Sequence, residues 1–235
     1  MCISILFKCG TNLQTLFIFS YYLCRMMKIF YFNDLRTCCY LVYDKQGMCA
    51  IIDPGCQKQS EKERLVKYIE TNGLTPVAII QTHGHFDHVM GNAFASKQWN
   101  IPTYLNRNDL PLALRASSYA VYFGYEFDNP SENVIDMKDG DVIGIGEIKL
   151  KVFTTPGHTP GGVVLYNEEE KYLITGDTLF QGSIGRTDLP GGDFDALMES
   201  IKSKILTLPG EVEVFPGHGP STSIAYEMLN NPFIQ

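Results

Sequence analysis

Thr82-His83-Gly84-His85-Phe86-Asp87-His88 puts four potential metal ligands within six positions. The chain has five histidines in all, and three of them are here. The other two follow Pro-Gly pairs, in Thr155-Pro156-Gly157-His158 and in Phe215-Pro216-Gly217-His218-Gly219. Neutral imidazole offers a nitrogen lone pair near neutral pH, so histidine is the commonest metal ligand. All five histidines sit in glycine-rich, loop-like contexts. The pattern predicts a metal centre that loops assemble on a rigid scaffold, rather than scattered surface or core histidines.

Outward from that stretch, the chain alternates strand-like and helix-like segments. Residues 77–81 read as a short buried strand that delivers Thr82 and His83 at its C-terminal edge. Before it, residues 28–33, 37–44 and 48–53 read as three strands joined by turns. Ser60-x-x-Glu63 reads as a capping box opening a helix, with Leu65, Val66 and Ile69 on one face and Gly73 past its end. Residues 89–99 read as the next helix. A second group of strands is expected over 142–145, 147–155, 162–167 and 171–175. Asp193 is expected to cap a helix carrying Phe194, Leu197, Ile201, Ile205 and Leu208 at helical spacing, ended by Pro209-Gly210. A last strand over 212–215 and a short helix near 221–229 complete an α/β chain. His83, His158, Asp177 and His218 each follow a strand, so the loops converge on one sheet edge.

Composition narrows the class. The chain has 235 residues, 45% hydrophobic and 19% charged, which are values of a globular domain with a sizeable core. A formal charge of −7 disfavours a broad nucleic-acid footprint. Residues 1–25 stand apart: they hold no acidic residue and an apolar run from Leu13 to Leu23. Three readings stay open for them. They are an upstream start placed before Met26, which is favoured, a signal or anchor, or an ordered extension. Residues 26–235 read as one domain without internal repeat or linker. Unless the N-terminal run is real, nothing suggests a membrane. Cys38, Cys39, Cys49 and Cys56 form no C-x-x-C pair and read as reduced thiols of a cytoplasmic protein. Oligomeric state is not legible.

Seven ligand candidates emerge: His83, His85, Asp87, His88, His158, Asp177 and His218. One tetrahedral zinc takes four ligands, or three and a water. Seven suit two divalent ions, with Asp177 bridging them. Zinc is the first candidate, and iron or manganese are the alternatives.

H-x-H-x-D-H followed by a distant His, an Asp and a His resembles the metallo-β-lactamase superfamily. The resemblance covers essentially all of residues 26–235. It implies an αββα sandwich with the metals at one edge of the two sheets. It also implies one ion on His83, His85 and His158, a second on Asp87, His88 and His218, and Asp177 shared. Asp53, in Ile51-Ile52-Asp53-Pro54-Gly55, matches an Asp that supports the ligands from behind, and reads equally well as a strand-ending turn residue. Asp177 and His88 stand where a true β-lactamase of this fold usually has Cys and lacks His. The run Gly176–Asp193 is most similar to short bacterial hydroxyacylglutathione hydrolase (glyoxalase II)-like proteins. The C-terminal helical domain of the larger enzymes has no counterpart in residues 219–235.

The resemblance implies hydrolysis of an S-hydroxyacylglutathione-type thioester by a hydroxide held between two ions, with Asp87 and Asp177 as the catalytic carboxylates. The alternatives are a mononuclear-iron persulfide dioxygenase, or a hydrolase of another ester or lactone. Arg186 matches a basic substrate-binding position. Tyr119 lies in the aromatic segment 117–127, which either walls the cleft or, as slightly favoured, packs as an aromatic face. The core pattern begins at Lys28 and no ligand precedes His83, so protein starting at Met26 should fold and load metal like the full chain. Insolubility or loss of metal in the shortened protein, read by metal analysis, would overturn this.

Overall fold

The computed structural model describes residues 26–235, so the readings of 1–25 fall outside the described residues. The first sheet contains β1 (Met27–Phe32), β2 (Thr37–Tyr43), β3 (Met48–Ile52), β4 (Thr75–Ile80), β5 (Thr103–Leu105) and β6 (Ile135–Asp136), in that spatial order. β1 to β3 pair antiparallel, and β3 to β6 run parallel. The second sheet contains β7 (Val142–Ile145), β8 (Ile148–Thr154), β9 (Val163–Asn167), β10 (Tyr172–Gly176) and, after the small hairpin strands β11 (Leu179–Phe180) and β12 (Ser183–Ile184), β13 (Glu213–Pro216) and β14 (Thr222–Ser223). Its order is β14-β13-β10-β9-β8-β7, and a hairpin of Leu179–Phe180 with Ser183–Ile184 sits apart.

Side-chain alternation turns these strands into layers. In β2, Cys38, Tyr40 and Val42 face the second sheet, while Cys39 and Leu41 face the helices outside. Leu150 and Val152 of β8, Leu165 of β9 and Ile174 of β10 complete the core between the sheets. The Gln59–Thr71 and Asn92–Trp99 helices cover the first sheet through Leu65, Ile69 and Ala95. The Phe194–Ser200 helix and its π-helical continuation Ile201–Ile205 cover the second, burying Leu197, Ile201 and Ile205. The result is the expected αββα sandwich. The four cysteines among the described residues are buried and unpaired. No helix among these residues is long and apolar enough to cross a membrane.

Several local expectations need correction. The helix at Gln59 is entered from Lys58, not Ser60: Glu61 reaches back and its carboxylate accepts from the backbone N–H groups of Lys58, Gln57 and Asn33. The helix expected over 89–99 is two, Phe86–Val89 and Asn92–Trp99. The break is at Gly91, whose N–H donates to Pro54 O at 2.7 Å and whose Cα presses on Pro54 and Cys56 too closely for any Cβ. His88 therefore lies on a helical turn rather than in a loop. β5, β6 and the helical turns over 107–123 carried no strong periodic signal.

Leu150 is fully buried between the sheets and is not itself one of the ligand candidates. Leu150→Ala should cost about 2–5 kcal/mol, while exposed Lys149→Ala should stay within about 0.5 kcal/mol. Urea titration of both variants checks the difference, and equal midpoints would refute the assignment of this core.

Candidate metal centre

Parallel β3 and β4 end side by side, and the residue leaving each is fixed by the other. Asp53 leaves β3 with φ +50°, a left-handed conformation that Asp tolerates better than most residues. Its Oδ1 accepts the backbone N–H of Thr82 at 2.7 Å, and its Oδ2 accepts the Thr82 hydroxyl at 2.6 Å and His88 Nδ1 at 2.9 Å. Because the Thr82 hydroxyl hydrogen goes to Asp53, its oxygen accepts from His83 Nδ1, 3.1 Å away. His158 Nδ1 donates to Arg186 O at 2.8 Å, and His218 Nδ1 to Leu35 O at 3.1 Å.

These four bonds set one tautomer. Each Nδ1 carries the hydrogen, and each Nε2 lone pair points inward. The inward atoms have no adequate protein partner. His83 Nε2, His158 Nε2 and Asp177 Oδ1 are buried without a hydrogen bond. His88 Nε2 faces His218 Nε2 at 3.4 Å, where two lone pairs would repel. His83, His85 and His158 present ligand atoms all within 4.8 Å of one another, as do Asp87, His88 and His218. Asp177 lies between the two groups, with Oδ1 3.4 Å from His88 Nε2 and Oδ2 3.6 Å from His158 Nε2. Asp53, His83 and His88 also bring ligand atoms within 4.8 Å of one another, but Asp53 Oδ2 is already engaged from behind. The residues therefore fit a bound cation. Imidazole and carboxylate donors suit zinc and iron alike.

The electrostatics point the same way. Burial takes His83 well below its ordinary pKa, and burial with the nearby His158 brings His85 down to about 4. Both are neutral lone-pair donors at neutral pH. Burial opposes a charge on His88, but Asp87, Asp177 and Asp53 outweigh it and raise the imidazole well above its usual range. Burial likewise opposes ionisation of Asp177, yet His88, His83 and His218 hold its carboxyl well below the usual range. The carboxylates demand a cation at their centre, which a bound metal ion would supply.

Other residues hold the ligands without a motif to mark them. Thr37 Oγ1 donates to Asp87 Oδ2 at 2.8 Å, and Asn33 Nδ2 donates to Asp87 O at 3.2 Å. Buried Asp109 accepts Gly84 N–H through Oδ2 at 2.8 Å and Gly161 N–H through Oδ1 at 2.5 Å. It thereby joins the His83–His85 loop to the His158 loop. Tyr40 OH donates to Pro216 O at 2.5 Å, and Cys38 N–H to Gly217 O at 2.7 Å, so β2 of one sheet holds the His218 turn of the other.

A cleft of about 600 Å³ opens above the ligands. His85, Asp87, His158, Asp177 and His218 line it on the ligand side, and Phe86, Leu112, Tyr119, Phe123, Arg186, Leu189 and Pro190 also border it. Tyr119 is half-exposed and packs on Phe86 and Phe123, so the aromatic segment both packs and walls the cleft. Arg186 borders the cleft with its guanidinium paired to Asp188 by two bonds of 2.7 and 2.8 Å.

A Cβ at Gly217 would lie 2.1 Å from Asp177 Oδ1 and 2.7 Å from His88 Cε1. Gly217→Ala should thus lose metal, whereas Gly144→Ala, with open space around it, should not. Elemental analysis of both purified variants reads this directly, and a full metal complement in Gly217→Ala would refute the close approach.

The profile of the metallo-β-lactamase superfamily matches residues 33–218. The probable metallo-hydrolase YqgX of Bacillus subtilis is 41% identical over 83% of this chain and 90% of its own. The hydroxyacylglutathione hydrolase GloC of Haemophilus influenzae is 37% identical over 83% of this chain and 92% of its own. Among solved structures, TTHA1623 in a di-iron-bound form is 39% identical with a TM-score of 0.80, covering 88% of this chain and 99% of its own. BLEG-1, a B3 metallo-β-lactamase, is 36% identical with a TM-score of 0.81, covering 89% of this chain and 100% of its own. With this match and with the metal-binding His/Asp cluster at the sheet edge, the chain belongs to the metallo-β-lactamase superfamily.

Proposed function

We propose that the protein is a binuclear hydrolase of thioesters of the S-hydroxyacylglutathione type. The observation that carries the binuclear part is the pair of three-ligand groups with the Asp177 carboxylate between them. Two divalent cations held there would supply a hydroxide nucleophile at neutral pH and an electrophile for the carbonyl oxygen. Zinc is our first candidate, and the di-iron form of TTHA1623 supports iron as the alternative.

The thioester reading rests on chemistry and likeness together. A thiolate leaves readily, because a thiol pKa is about 8.5, so no strong general acid is needed. The site fits that economy: its histidines and its two inward carboxylates point at the ligand cluster rather than at a leaving group. Asp87, steadied by the Thr37 hydroxyl, is placed to orient the nucleophile. The apolar wall of Phe86, Tyr119 and Phe123 keeps water from the acyl or thiol chain, and Arg186 at the cleft border offers a polar contact. The relationship to GloC supports this substrate class. We place the protein in the cytoplasm, acting on a small molecule and on neither nucleic acid nor membrane.

Metal-replete protein should hydrolyse lactoylglutathione faster than a lactone or a β-lactam, with no oxygen uptake on a glutathione persulfide. Asp177→Ala should fall to the background rate and hold fewer ions, because one carboxylate serves both groups. Arg186→Ala should keep its metal and raise KM with kcat little changed. Oxygen consumption on a persulfide, a preference for the β-lactam, or a single ion that added metal cannot raise would each overturn the reading.

A further inference from the structure

We propose that Arg115 is the anion anchor of the cleft and selects substrates carrying a carboxylate remote from the scissile carbonyl. Two arginines border the cleft, Arg115 and Arg186. They differ in what their charge already does. Arg186 is neutralised by a two-bond pair with Asp188. Arg115 is exposed, and no carboxylate among the described residues pairs with it. Neither Asp87 nor Asp177 engages its guanidinium, so an anion that reaches Arg115 sits away from the ligand cluster.

The position is built rather than incidental. Leu112, Arg115, Ala116, Tyr119 and Phe123 follow helical spacing along the turns over 110–123, and all five line the cleft. Arg115 is the one charged member of that face. Its backbone is fixed on both sides: Arg115 N–H donates to Leu112 O at 3.1 Å, and Tyr119 N–H to Arg115 O at 3.2 Å. Asn129 holds the same turn from outside, accepting Ser117 N–H at 2.9 Å and donating to Leu114 O at 2.8 Å. An apolar strip with one planar, five-donor cation suits a ligand with a methylene or aromatic stem and a carboxylate at its end. The chain has a formal charge of −7, which opposes the approach of any anion, so an uncompensated local cation matters more here than on a neutral protein.

The inference rests on the hydrolase reading for the bond that is cleaved, but not for the charge of the ligand. S-hexylglutathione, which carries two carboxylates and no scissile bond, and its dimethyl ester separate the two questions. Calorimetric titration of metal-loaded protein should find the diacid bound more tightly than the diester. Arg115→Ala should weaken the diacid by about ten- to a hundredfold, leave the diester unchanged and keep the metal content. Arg115→Lys should fall between, since it keeps the charge and loses the fork. Arg186→Ala should change the diacid less than Arg115→Ala does. Equal affinity of Arg115→Ala and the parent for the diacid, equal binding of diacid and diester by the parent, or a larger loss in Arg186→Ala would each overturn the proposal. Parent protein that cleaves no thioester, yet shows the charge dependence at Arg115, would overturn the hydrolase reading alone.

Discussion

Buried Asp53 and Asp87 and the mostly covered Asp177, 13% accessible at its side chain, lie within reach of one imidazole, that of His88. Carboxylates taken out of water cost several kcal/mol each unless charge and hydrogen bonds compensate them. Everything at this edge of the sandwich serves that compensation. Asp53 receives three donors, Asp87 receives the Thr37 hydroxyl, and Asp177 is the one left with an unbonded buried oxygen. The inter-sheet core keeps both sheet ends rigid, so these groups cannot drift apart to find water. A protein that holds ionised groups this way has stored a demand for cations in its fold.

The ligands were legible from the sequence because their spacing is local. H-x-H-x-D-H and the two Pro-Gly-His turns need no knowledge of distant contacts, and strand alternation alone sets Cys38 and Cys39 on opposite faces. What escaped depends on residues far apart in the chain. Thr37 and Asp87 are 50 residues apart, and Asp109 and Gly161 are 52. Asp109 stands before Leu110-Pro111 and looks like an ordinary helix-start residue, so nothing in its neighbours reveals the two loops it joins. Gly91 is compatible with a helix on local grounds, and it is the approach of the distant Pro54 and Cys56 that sets the break there.

Floor and walls of the cleft obey different physics. The floor is made from strand ends, with each imidazole fixed through its far nitrogen. The wall over 107–123 is made from short helical turns with no long hydrophobic period, and part of it is exposed: Tyr122 is 85% and Val121 60% accessible. Chemistry on such a scaffold is set by the sheets, and choice of substrate by side chains on a segment that contributes little to the main core. The two can change independently.

The carboxylate of Asp109 also bears on how the site is assembled. It ties the loop of His83 and His85 to the loop of His158 through backbone N–H groups, with no help from an ion. That half of the cluster is ordered before anything binds, so an arriving ion does not have to bear the entropy of gathering the loops. His218 is less restrained, with 29% of its side chain accessible and one carbonyl behind it. On the proposed two-ion reading, the ligand group that Asp109 staples is the more firmly held of the two, and the group containing His218 is the less restrained.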